Sequence, residues 1–443
     1  MSPTADRIVY GGGPLRGRFR APGDKSISHR AAIFAALAEG PSTLRGFLAG
    51  RDCLATLAVL SGLGVPIRRS GEVVELTGAG FGGLREPETI LDCANSGTTM
   101  RLMAGLLVGR PFLSILSGSA SLRSRPMARI TEPLQALGAE VLGRDGGRLA
   151  PLVCRSATGL RGARLEPEVA SAQVKSAIIL AALQAEGRTE LVEPGPSRDH
   201  TERLLIAMGA ALTVDEARRA VTVEGAGAAG PSLRPLDVEI PGDPSSAAFI
   251  AVAATLIEGS EVTIEGLSAN PTRLGLFRAL EAMGADLHWT PRDARGGEPV
   301  ADLTVRAAPL RGADFGGAEL VTMIDELPLL ALAASRAEGR TTIRDAAELR
   351  VKESDRITST VAMLGAFGAG IAERADGFEI DGPRELTGAR VEAFGDHRLA
   401  MLGCVAGLAA TGESRIKGAE LAADSWPGFH DVVLALGGVG RSA

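Results

Sequence analysis

One pattern recurs six times along the 443 residues: a short polar segment, an Ala/Leu/Ile-rich helical run, then glycine and a strand-like stretch. The copies begin at Gly23 (GDKSISHR before AAIFAALAEG), Asn95 (NSGTTMR before LMAGLLVG) and Ser171 (SAQVKS before AIILAALQAEG). They continue at Gly242 (GDPSS before AAFIAVAATLIEG), Ile324 (IDELP before LLALAASRAEG) and Gly395 (GDHR before LAMLGCVAGLAATG). Start-to-start spacings of 72, 76, 71, 82 and 71 residues mark repeated supersecondary units. Five copies also carry a second helical run ending in glycine, among them TEPLQALGAEV (131–141), TERLLIAMGAAL (201–212), LFRALEAMGADL (276–287) and TSTVAMLGAFGAGI (358–371). That glycine suits a helix C-cap, where a left-handed backbone is wanted. Alternating stretches such as AVTVEG and GFEIDG read as strands. Each unit is therefore expected to run strand–helix–strand–helix–strand–strand, with the sixth cut short after WPGFHDVVLALGG.

Two near-identical junctions, Ala21-Pro-Gly-Asp24 and Ile240-Pro-Gly-Asp243, divide the six units into three and three. The expected organisation is an inserted domain, 23–241, and a discontinuous one, 1–22 plus 242–443, hinged at two neighbouring segments. The competing arrangement is a continuous solenoid. Hydrophobic residues at 45% and charged residues at 23% are ordinary for a globular chain. The longest apolar run, Ala247 to Ile257, falls short of the ~18 residues of a membrane span. The start lacks a basic segment leading into an apolar one, so no secretory signal is expected. Cys53, Cys93, Cys154 and Cys404 form no Cys-x-x-Cys pair, which excludes a zinc ribbon and points to reduced thiols. A cytoplasmic protein with no membrane partner follows as the expectation, and a net charge of −6 argues against a nucleic-acid partner.

The polar segments open helices, whose first turns present unpaired N–H groups and a partial positive charge. Lys25, Ser26 and Arg30 occupy one start; Ser171, Gln173 and Lys175 another; Gly97-Thr-Thr99 leaves backbone open to a ligand. Arg123, Arg125, Arg198, Arg350, Lys352, Arg356 and Arg398 add cations, which predicts substrates bearing phosphates and carboxylates. Only 4 lysines stand beside 43 arginines, so Lys25, Lys175 and Lys352 invite a functional reading, whereas Lys417 reads as a surface residue. Asp325 and Glu326 could be N-cap residues, and Glu353 a structural ion pair; together, acids beside several cations suit proton transfer on anions. GDKS lacks the glycines of a P-loop. The formal G-x-G-x-x-G at 225–230 runs into Pro231 rather than a helix, so no dinucleotide site is expected. His288 and His430 lack motif context.

GDKSISHR, NSGTTMR, SRPM, SAQVKSA, RDHTER, RVKESDR and GDHR, in that order, resemble the 5-enolpyruvylshikimate-3-phosphate (EPSP) synthase family. The resemblance implies an α/β fold, the inverse α/β barrel of two similar domains with three βαβαββ repeats each and the active site in the interdomain cleft. It implies transfer of the enolpyruvyl group of phosphoenolpyruvate to the 5-hydroxyl of shikimate 3-phosphate, with no metal and no cofactor; a monomer is expected. Carried over residue by residue, Lys25, Asp325, Glu353 and His397 would be catalytic. Lys25, Ser26, Arg30, Ser171, Ala172, Gln173, Arg198, Asp325 and Lys352 would hold shikimate 3-phosphate. Lys25, Asn95, Gly97, Arg125, Gln173, Arg356 and Arg398 would hold phosphoenolpyruvate. The chain departs from the family's pattern at Ala172 (often Ser), His200 (often Tyr) and Asp424 (often Lys). The runner-up, the transferase acting on UDP-N-acetylglucosamine, uses a reactive Cys in a loop that here, Gly118 to Pro126, has none. A non-catalytic binder of phosphorylated metabolites is the alternative of another class.

Overall fold

The computed structural model describes residues 6–155 and 159–442; residues 1–5 and 443 of the expected discontinuous domain lie outside that range. Its organising elements are the first helices of the six repeats: Lys25–Leu37, Gly97–Leu107, Ala172–Ala182, Pro244–Leu256, Leu327–Ser335 and His397–Ala409. Their apolar residues surround the axis instead of forming one stripe, and a helix without a polar face belongs inside. Every residue from Pro244 to Thr255 is buried. The second helices are Arg51–Gly62, Ala128–Ala136, His200–Ala207, Gly275–Ala282, Arg356–Ala366 and Phe429–Ala435. Each ends at a glycine with positive φ, from +85° at Gly64 to +101° at Gly284. The paired bonds Gly209 N–H to Ile206 O and Ala210 N–H to Leu205 O illustrate the Schellman closure that requires such a residue.

Six four-stranded sheets share one plan: a parallel pair followed by two antiparallel neighbours. The chain divides into two compact units, one comprising Gly23–Ile240 and Ala294–Glu298, the other the chain up to Pro22, Pro241–Asp293 and from Pro299 on. Each has its own apolar core. In the first unit, Asp237–Glu239, from the far end of that segment, completes the sheet of the first repeat by pairing with Glu39–Arg45. In the second, Arg16–Arg20 does the same for the fourth repeat by pairing with Glu261–Ser268. This is the α/β inverse-barrel architecture of two similar three-repeat domains. The sixth repeat is not cut short: Arg7–Tyr10 takes the interior place between Glu413–Lys417 and Val439–Ser442. A strand from the opposite chain end therefore satisfies both neighbours' backbone groups, which the sequence spacing did not disclose. All four cysteines are buried, and burial pushes the Cys154 and Cys404 thiols up to about 12. No helix among the described residues is long and apolar enough to cross a membrane.

Candidate active site

In the first unit, packing brings three helix starts to bear on one another. A Cβ at Gly105 would lie 2.2 Å from the Ala177 carbonyl oxygen, so only glycine lets the Gly97–Leu107 and Ala172–Ala182 helices approach this closely. That approach sets Gln173 Nε2 to donate to Thr98 Oγ1 at 2.9 Å, while Arg101 donates to Gln173 Oε1. Asn95 Oδ1 accepts from Ser119 Oγ at 2.8 Å and from Arg125 at 3.5 Å, drawing the 119–125 segment to the same start. Arg198 donates to Ser26 Oγ at 3.2 Å, and Lys25, half-buried, is ion-paired with Asp52. Ser171 precedes the Ala172–Ala182 helix without capping it through its side chain, so that hydroxyl does not serve its own helix.

Two of the cations that the sequence singled out in this unit are internal. Arg30 is 2% exposed and donates to Thr201 Oγ1, Ser26 O, Ala172 O and Ser176 Oγ at 2.8 to 3.2 Å. It binds the starts of two helices together, and burial lowers its guanidinium to about 10, which leaves it charged at neutral pH. Lys175, read from the sequence as a ligand-facing cation, lies buried between Glu193 at 2.8 Å and Glu202 at 2.6 Å. Burial alone would lower its pKa, but the Glu202 and Glu193 carboxylates outweigh burial and raise it. The correction has a geometric cause: the fourth residue of a helix lies a full turn inside the exposed N–H groups.

Beneath these starts runs a buried hydroxyl chain, from His29 Nδ1 to Thr56 Oγ1 (2.7 Å), on to Thr99 Oγ1 (2.7 Å) and to Ser96 Oγ (2.8 Å). Ser96 caps its helix by accepting from Thr99 N–H at 3.1 Å. Burial, then the Lys25 ammonium, push His29 down to about 3, so its imidazole is neutral.

In the second unit a single guanidinium gathers the acids. Arg356, 1% exposed, meets Asp325 at 3.2 Å, Glu353 at 2.6 Å and Asp396 at 2.7 Å. Burial opposes its charge, yet the carboxylates of Asp396, Glu353 and Asp325 raise its pKa overall. Asp396 is buried, and Arg356 overcomes that burial to hold its carboxyl below the ordinary value. Asp396 also caps the next helix, accepting from Arg398 N–H at 2.8 Å. Lys352 and Arg398 each lie 3.8 Å from Asp325, and Arg398 reaches Glu326 at 3.2 Å. His397, half-buried, opens that same helix. Glu326 does stand at the N-cap of the Leu327–Ser335 helix, but no side chain caps that helix: the Asp325 and Glu326 carboxylates turn to arginines.

Asp52, Arg101 and Asp396 were not singled out from the sequence. Asp396 carried a signal, an Asp immediately before an apolar helical run. Asp52 and Arg101 carried none, because their roles arise from neighbours 27 and 72 residues away.

Cations at helix starts in one unit, and carboxylates around an arginine with further cations beside them in the other, are groups suited to anionic ligands and proton transfer. The chain matches the family described as EPSP synthase (3-phosphoshikimate 1-carboxyvinyltransferase) over residues 9–433. It is 50% identical over 420 residues to a 3-phosphoshikimate 1-carboxyvinyltransferase of Roseiflexus castenholzii, covering 95% of this chain and 96% of that one. It is 47% identical over 425 residues to the enzyme of that name from Desulforamulus reducens, with 95% and 96% covered. A solved EPSP synthase from Acinetobacter baumannii superposes with a TM-score of 0.89 at 38% identity, covering 99% of this chain and 100% of that one. The chain belongs to the EPSP synthase family, which transfers the enolpyruvyl group of phosphoenolpyruvate to shikimate 3-phosphate in the shikimate pathway.

Proposed function

We propose that the two residue sets described above act on the same pair of substrates in that transfer. Lys25, Ser26, Ser171, Ala172, Gln173, Arg198 and Lys352 hold shikimate 3-phosphate; Lys25, Asn95, Gly97, Arg125, Gln173 and Arg398 hold phosphoenolpyruvate. Arg30 and Arg356 contribute chiefly by position, since their donors already serve protein acceptors. Asp325 takes the proton of the 5-hydroxyl as its oxygen bonds to the central carbon of phosphoenolpyruvate. Glu353 delivers a proton to the methylene, giving a tetrahedral intermediate. In the second step the bond to phosphate breaks and Glu353 recovers a methyl proton, leaving the enolpyruvyl ether. The departing phosphate takes up the proton that Asp325 removed from the hydroxyl, Lys25 neutralises its charge, and His397 supports the site. The observation that carries this reading is the convergence of Asp325, Glu353 and Asp396 on buried Arg356, with Lys352 and Arg398 beside Asp325. A simple anion binder gains nothing from carboxylates placed there, because they repel its ligand.

The protein works as a monomer in the cytoplasm, without nucleic-acid or membrane partners. Phosphate release measured with each substrate alone, with both, and with UDP-N-acetylglucosamine in place of shikimate 3-phosphate tests the reading. Release is expected only with phosphoenolpyruvate and shikimate 3-phosphate together. Release with the sugar nucleotide, or none with any pair, sinks it.

A further inference from the structure

The fourth repeat is the longest, 82 residues from start to start against 71 to 76 for the others, and its hairpin is enlarged. Its strands Asp286–Arg295 and Glu298–Arg306 have ten and nine residues, where the hairpin of the first repeat has four and seven. They join through Gly296 and Gly297, both at positive φ, the two-residue turn that matches strand twist. The tip, Ala294–Glu298, groups with the first unit although the strands on either side belong to the second.

We propose that Glu298 is a positioning residue for Arg198, acting through His200; this rests on the reading of Arg198 as a ligand of shikimate 3-phosphate. His200 is fully buried, and its Nδ1 lies 2.7 Å from Glu298 Oε1. A carboxylate only accepts, so Nδ1 carries the proton and the ring orientation is set. His200 Nε2 has no hydrogen-bond partner among the described residues, so Glu298 alone anchors that ring by a polar contact. The same turn is gripped on either side. Arg203 donates to Gly297 O at 3.3 Å, and Thr201 Oγ1 accepts from Arg30 at 2.8 Å. Arg198, two residues before His200, donates to Ser26 Oγ at 3.2 Å. Removing the Glu298 carboxylate leaves a buried N–H without an acceptor, and the chain relieves that cost by moving the 197–201 segment. Arg198 moves with it, so the loss falls on one substrate rather than on both.

The test uses the full chain and measures kcat, both KM values and thermal unfolding for Glu298→Ala, Glu298→Gln and Arg198→Ala. Glu298→Ala should raise KM for shikimate 3-phosphate roughly tenfold, the scale of one lost charge-assisted hydrogen bond, with KM for phosphoenolpyruvate within about twofold. Glu298→Gln keeps an acceptor oxygen and should recover most of that loss, and 15N NMR of His200 should show the Nδ1 proton retained. Equal rises in both KM values, or no rise in either, overturn the positioning role. Should Glu298→Ala fail to fold, Glu298→Asp, which keeps the charge but shortens its reach, gives the same comparison. A normal KM for shikimate 3-phosphate in Arg198→Ala would instead overturn the reading on which this inference rests.

Discussion

Four lysines in a chain of 43 arginines find different employments. Lys25 and Lys352 remain half-exposed beside carboxylates, Lys175 is sealed between two glutamates, and Lys417 forms an exposed pair with Glu392 at 3.4 Å. Scarcity drew attention to all of them; burial separates a partly exposed ammonium from a sealed, structural one. Glu353 is where a single atom decides most. Glu353→Gln keeps the shape and can still accept from Arg356, but it cannot shuttle a proton. We expect kcat to fall by roughly 100-fold or more, the usual contribution of a general acid–base group, with shikimate 3-phosphate affinity by calorimetry little changed. Near-normal turnover would remove Glu353 from the chemistry. Gly97 faces a different limit. A Cβ there would sit 2.9 Å from Arg101 Nη1 and 3.6 Å from Arg125 Nη1, both movable tips, so Gly97→Ala should fold. Glyphosate, which competes with phosphoenolpyruvate in this family, is the longer molecule, and the methyl should exclude it more strongly than the substrate. The parent is expected to be sensitive, and the variant less so at some cost in KM for phosphoenolpyruvate. An unchanged ratio of inhibition constant to KM would place control elsewhere.

At the scale of elements, the helix starts are held together by fully buried polar groups. The chain from His29 through Thr56 and Thr99 to Ser96 links three helices of the first unit by their interiors. Low local dielectric strengthens such a chain when it is complete and makes a gap in it costly. His29 also predicts a pH dependence whose sign is definite. Its folded pKa of about 3 lies below the unfolded value of 6.5, so between those values the unfolded chain binds a proton that the folded chain does not. Stability is therefore full above pH ~6.5 and falls as pH drops, with a slope approaching about 1.4 kcal/mol per pH unit from this group. Urea unfolding at pH 7, 6 and 5 should show a steeper loss for the parent than for His29→Gln. Parallel curves would mean that His29 is protonated in the folded protein.

At the scale of the whole molecule, the closure of the last sheet by Arg7–Tyr10 makes the N-terminal strand part of the second unit's core sheet system. Tyr10 donates to Glu413 at 2.9 Å and Arg415 to Asp6 at 2.8 Å, so both ends of the strand are tied. Deleting residues 1–10 would open two strand edges in the interior of one sheet, a state prone to aggregation. We expect the shortened chain to be insoluble, or to unfold in two transitions with the first unit's cooperative transition preserved. A soluble, fully active product would show that the sheet tolerates the gap.

The repeat itself, its three-and-three division, the helix starts and the glycine-terminated second helices were legible in the sequence, because each depends on local chemistry: periodicity, capping and left-handed backbone. The family and its reaction were legible too, since seven ordered motifs carry them. What only the tertiary structure decided is which polar groups face one another. Lys175 and Lys25 look alike in sequence, as do Arg356 and Arg398, yet one of each pair is buried by partners the local pattern does not name. Arg7–Tyr10 meets Glu413–Lys417 across some 400 residues, and His200 meets Glu298 across 98. The physical reason is the same in each case. Helix and turn preferences act within a few residues, whereas burial and charge pairing act through space, and only the packed chain brings their partners together.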